Sequence, residues 1–111
     1  MAGLIQIEEK QWSVAGWVFD HVLRLARQQL PSIGSSRILE LIDESATGLN
    51  HLSLDNLSRD ELSIFYQALE QAYLQIEREG HSSFSAPEFY SGFMDRFHEL
   101  LEMIRSSGKT W

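Results

Sequence analysis

Hydrophobic positions recur along this chain at helical spacing. From Val14 to Leu30, Val14, Val18, Phe19, Val22, Leu23, Leu25, Ala26 and Leu30 fill one half of a helical wheel. Ser13 stands where an N-cap belongs, and Pro31 ends the run because a helix interior does not tolerate proline. After the breaker cluster Pro31 to Ser36, a shorter helix over about 36–46 turns Ile38, Leu39, Leu41 and Ile42 inward, with Gly48 just past its end. Ser58-x-x-Glu61 matches a capping box and opens a third helix that ends at Gly80. Its apolar face is Leu62, Phe65, Ala68, Leu69, Ala72 and Ile76. Ser85-x-x-Glu88 opens a fourth, with Pro87 in the first turn, where its missing N–H costs little. Phe89, Phe93, Phe97, Leu100, Leu101 and Ile104 form its stripe, and the helix should end near Gly108.

Two segments fall outside this period. Leu49, Leu52, Leu54 and Leu57 make the connector between the second and third helices too apolar for a solvated loop, so it should pack over the core. Leu4, Ile5 and Ile7 suit a short strand or an ordered arm, and a lone strand needs a partner. The expected fold is all-α. It is a compact single-domain bundle of about four helices over residues 1–111, with an ordered arm at 1–12 and a flexible tail at 106–111.

Composition narrows the function classes. The 111 residues are 43% hydrophobic, as expected for a globular chain, and hold no cysteine, which excludes disulfides and cysteine-ligated metals. No apolar run approaches the roughly 18–20 residues that cross a bilayer, and the first nine residues carry no basic leader. A soluble cytoplasmic protein is expected.

Charge is uneven. Sixteen acids against nine bases give −7. Residues 1–39 net +1, residues 40–102 carry thirteen acids against three arginines for −10, and the tail adds +2. Direct binding to nucleic acid or anionic membrane, which rests on Lys and Arg neutralising phosphates, is not expected. A lopsided acidic field instead steers a cationic protein.

Motifs for chemistry fail. Gly108-Lys109-Thr110 resembles the end of a phosphate loop, but position 103 is Met rather than Gly and no helix follows. Asp43-x-Ser45-x-Thr47-Gly48 resembles half a calcium loop whose twelfth position is Leu54 instead of a carboxylate. His21, His51, His81 and His98 form no pair at i, i+4. Asp95-x-x-His98 has a metal-bundle spacing, yet Asp95 lies opposite the phenylalanine stripe beside Glu88, Glu99 and Glu102, as solvated charges do. There is no Gly-x-Ser-x-Gly elbow. The sequon Asn56-Leu57-Ser58 carries no weight without a secretory leader. No cofactor, metal or catalytic residue is expected.

Aromatic residues outside the apolar faces are more informative. Trp17 falls among Asp20, His21, Arg24 and Gln28, so it needs a cover: the arm from Leu4 to Trp12, or a second protein. On the third helix Tyr66 and Tyr73 border the apolar stripe beside Glu70 and Glu77, while Ile64 and Leu74 appear on the polar half. The second helix turns Glu40, Asp43 and Glu44 to solvent. Together Trp17, Glu40, Asp43, Glu44, Tyr66, Glu70, Tyr73 and Glu77 are the candidate partner-binding residues. The function expected is a small acidic inhibitor that docks on a basic protein, most concretely an immunity or antitoxin-like protein blocking a nuclease toxin. Two alternatives stand beside it: a non-inhibitory adaptor, chaperone or complex subunit, and a ligand- or metal-binding bundle or enzyme. A homodimer would also use exposed apolar residues.

Overall fold

The computed structural model describes residues 2–32, 35–45, 50–80 and 87–107. Four helices are present among them: α1 (Gly16–Gln29), α2 (Ser36–Glu44), α3 (Arg59–Glu79) and α4 (Tyr90–Arg105). The all-α expectation is nevertheless wrong. The N-terminal segment is a β-hairpin, β1 (Ala2–Ile7) and β2 (Lys10–Ala15), and a third strand, β3 (His51–Ser53), joins it. The sheet is mixed, in the order β2-β1-β3, with β1 antiparallel to β2 and parallel to β3.

The reason for the miss is physical. Ile7 pairs with Lys10, so Glu8 and Glu9 alone make the turn, and neither is the glycine or asparagine that marks a two-residue hairpin. Glu8 takes a φ of +52°, and its N–H is held by both Asp55 carboxylate oxygens, at 2.9 and 3.2 Å. A residue 47 positions away therefore stabilises a turn that the local sequence does not announce. Ser13, expected as an N-cap, lies within β2, and α1 starts after Ala15 without a side-chain cap.

The leucine connector does bury its side chains, in sheet and turn geometry. Leu52 enters β3, Leu54 begins a 3₁₀ turn, and both are buried with Leu57. Asn50 reaches the sheet with a φ of +47°, and its carbonyl accepts from the Leu4 N–H at 2.8 Å. Leu49 and Gly48 lie outside the described residues.

One face of the sheet, carrying Ile5, Ile7, Trp12, Val14 and Leu52, packs on the helices. Phe19 from α1, Leu62, Phe65 and Leu69 from α3, and Phe93, Phe97, Leu100 and Ile104 from α4 complete a single core. Gly3 is required on β1, because a Cβ there would collide with the Phe19 side chain. The predicted capping box opens α3, with Glu61 N–H donating to Ser58 Oγ at 3.1 Å and Ser58 N–H to Glu61 Oε1 at 2.8 Å. Gly80 closes α3 with a φ of +69°.

A 3₁₀ turn, Pro87–Phe89, leads into α4; Ser85 lies outside the described residues, as does Gly108. Of the segment expected to be a tail, Ser106 accepts two hydrogen bonds from Lys10 Nζ, at 3.0 and 2.7 Å, and Ser107 is buried. Among the described residues, no helix is long and apolar enough to cross a membrane.

Candidate functional site

The expected partner-binding residues separate into three groups. On α2, Glu40 pairs with Arg37 at 3.2 Å and Asp43 pairs with Arg27 of α1. Glu44 is exposed at the C-terminal end of that helix. Glu40 and Asp43 are thus answered within the chain.

On α3 the tyrosines differ. Tyr66 is buried at 6% exposure, and its hydroxyl accepts from Arg105 of α4 at 3.3 Å. That hydrogen bond, with the charges of Glu102 and Glu70, raises the Arg105 pKa. Tyr66 is therefore a seam residue between α3 and α4 and not an outward contact. Tyr73 is half-buried, its ring edge-on to Phe97 at 5.4 Å and tilted against His98 at 6.2 Å. Burial, then the charges of Glu77, Tyr90 and Asp95, push its phenol above 10.0, so Tyr73 sits in a negative field built from both helices. Ile64 packs partly into the core, whereas Leu74 is exposed.

Trp17 is 47% exposed at the start of α1. The arm expected to cover it is a β-hairpin, and the ring stays about half-exposed. Its neighbours are aromatic residues of the α4 region: Phe93 stacks at 6.0 Å and Phe89 meets it edge-on at 5.8 Å. Phe89, expected inside, is 54% exposed. With Val14, Ala15, Val18, Gly92, Glu88 and Arg96, these rings line an open hollow of about 320 Å³. His21 packs edge-on to Phe93 at 4.9 Å, and burial, then the Arg24 charge, lowers its pKa from 6.5.

A file of rings crosses beneath α4: Trp17, Phe93, Phe97 (5.8 Å from Phe93) and Tyr73. Above that file the outer face of α4 and its leading turn carries Glu88, Asp95, Glu99 and Glu102, all exposed. Arg96 reaches Glu99 at 3.0 Å, and His98 and Arg105 approach Glu102 at 3.7 and 3.5 Å. These α4 acids were read from sequence only as solvated charges. Glu88 lies beside Trp17 and Asp95 faces Tyr73, a grouping that exists only in three dimensions. Among the described residues no group of three or more His, Asp or Glu side chains is arranged to hold a metal ion.

The sequence matches no protein family and no curated protein. The fold, however, is similar to a chain in the solved structure of the CdiA-CT toxin from Burkholderia pseudomallei E479 in complex with its cognate CdiI immunity protein. The TM-score is 0.73 at 19% identity, over 99% of this chain and 100% of that chain. At this identity the likeness establishes a shared fold.

Proposed function

We propose that this chain is an immunity protein, a non-catalytic inhibitor that binds a cognate toxin domain in the cytoplasm and neutralises it. The observation that carries this reading is the end-to-end likeness to an immunity protein found in complex with its toxin. The net charge of −10 over residues 40–102 supports a basic partner. A toxin that acts on nucleic acid must hold phosphates with cations, and carboxylates set at or beside that cleft exclude the substrate. The same charge speeds encounter, which matters when each free toxin molecule does damage.

Within the candidate set, Trp17, Glu70, Tyr73 and Glu77 favour docking on the side where α3 and α4 meet the solvent. Glu40 and Asp43 are engaged by arginines, so α2 offers less of its charge to a partner. The test is to read the gene's neighbourhood and to co-produce this chain with the C-terminal domain of any large polypeptide found encoded there. Growth arrest by that domain alone, relief on co-production and a stoichiometric complex on gel filtration support the reading. Continued arrest with no complex overturns it.

A further inference from the structure

Gly92 presents an unexplained choice. It lies in the first turn of α4, where glycine weakens a helix relative to alanine. A Cβ at Gly92 would meet no atom within 4 Å, and its φ lies outside the left-handed range, so the chain's own packing gives no reason for it. What a side chain there would do is project into the hollow that Trp17 and Phe89 line. Both of these rings stand about half-exposed, at 47% and 54%, where a protein left alone would bury or replace them.

The wall of the hollow is apolar, formed by Val14, Trp17, Val18, Phe89 and Phe93. Its rim is acidic. Glu88 lines it directly, and Glu99 answers Arg96, the one basic side chain among the described lining residues. Beyond the rim, Asp95 and Glu102 continue the negative face along α4. With Arg96 engaged by Glu99, the charge left at the rim is that of Glu88, and an occupant that suits aromatic walls beside a carboxylate has an aliphatic stem and a cationic head.

We propose that this hollow is the anchor point of the docked complex and that it receives an arginine or lysine side chain of the toxin, with the stem against Trp17 and Phe89 and the charge at Glu88. The proposal rests on the immunity reading and assigns its interface to the Trp17–α4 face. Exposed tryptophan in such a position is the kind of residue that dominates binding energy.

The experiment measures binding of a candidate toxin domain found in the gene's neighbourhood to full-length variants by calorimetry and surface plasmon resonance, with near-UV circular dichroism confirming each fold. Trp17→Ala and Phe89→Ala are expected to weaken binding by about 30-fold or more, within the range of interface anchors. Glu88→Lys should weaken it about tenfold and reduce its salt dependence. Gly92→Leu tests the idea by addition: it plugs the hollow without deleting a contact, so the fold stays intact and binding falls at least as far as with Trp17→Ala. Gln11→Ala, on the exposed outer side of β2, should stay within about threefold of the parent. Parent binding that survives Gly92→Leu and Trp17→Ala within threefold overturns the anchor while leaving the immunity reading standing. Failure of the parent chain to bind at all overturns the immunity reading itself. A dimer of this chain in sedimentation that Gly92→Leu dissociates assigns the hollow to a second copy and also overturns the anchor.

Discussion

The indole N–H of Trp12 donates to the main-chain carbonyl oxygen of Arg96 at 2.7 Å, tying the outer strand of the sheet to the middle of α4. The hairpin and the last helix, 84 residues apart in sequence, are thereby held as one unit. Trp12 is buried, so Trp12→Phe removes one hydrogen bond and leaves a small void. The expected cost is about 1–3 kcal/mol, seen as a lower urea midpoint at unchanged m-value. An unchanged midpoint would mean that the hairpin is held by apolar contacts alone.

Gly3 makes a second, tighter junction. A methyl group there collides with the Phe19 side chain at the sheet–α1 contact. Gly3→Ala should destabilise the fold by about 1–3 kcal/mol or more. Combining it with Phe19→Leu should cost less than the two single changes added together, because the smaller side chain makes room. Strict additivity in thermal or urea unfolding would count against this contact.

The capping box at the start of α3 joins a local signal to global stability, since α3 carries the central stripe of the core. Ser58→Ala removes the acceptor for the Glu61 N–H and should cost about 1 kcal/mol. Ser58→Asp keeps an acceptor at that position and should recover most of the loss. Equal destabilisation by both variants would remove the cap from the account.

Acid sensitivity is expected from His21. Its pKa in the folded chain lies below 6.5, first because it is buried against Phe93 and then because Arg24 stands near. Below 6.5 the unfolded chain therefore binds more protons than the folded one. Stability should fall as pH drops through that value and level off once the folded-state pKa is passed. His21→Gln should flatten the slope of unfolding free energy between neutral pH and about pH 5 relative to the parent. Parallel slopes for parent and variant would show that His21 titrates alike in both states.

The candidate face was legible in part. Trp17 stood out because a large aromatic on a polar arc needs an explanation, and it is indeed exposed. Tyr66 and Tyr73 occupy equivalent edges of the same helix seven residues apart, and their sequence surroundings do not separate them. Contact with α4 does: Tyr66 is closed over and meets Arg105, whereas Tyr73 stays half-open between Glu77 and Asp95. Asp43 reads as a surface charge until α1 brings Arg27 to it. Phe89 fits the apolar stripe by spacing, but it precedes α4 in a 3₁₀ turn, which sets it outside.

The order of the residues alone determines the helices, the capping box of α3, the inward stripes of α3 and α4, and the segregation of acid into residues 40–102. Each of these is written in spacings of three and four residues or in simple charge sums, and so needs no distant partner. The sheet belongs to the tertiary structure. β1 exists because β2 and a three-residue strand some 47 positions away complete it, and its turn is held by Asp55. Leu4, Ile5 and Ile7 mark Ala2–Ile7 as a candidate strand, but strand pairing draws on partners remote in sequence, so the segment does not say what completes it. The same holds for the hollow beside Trp17, whose walls come from β2, α1 and α4 and meet only when the chain has folded.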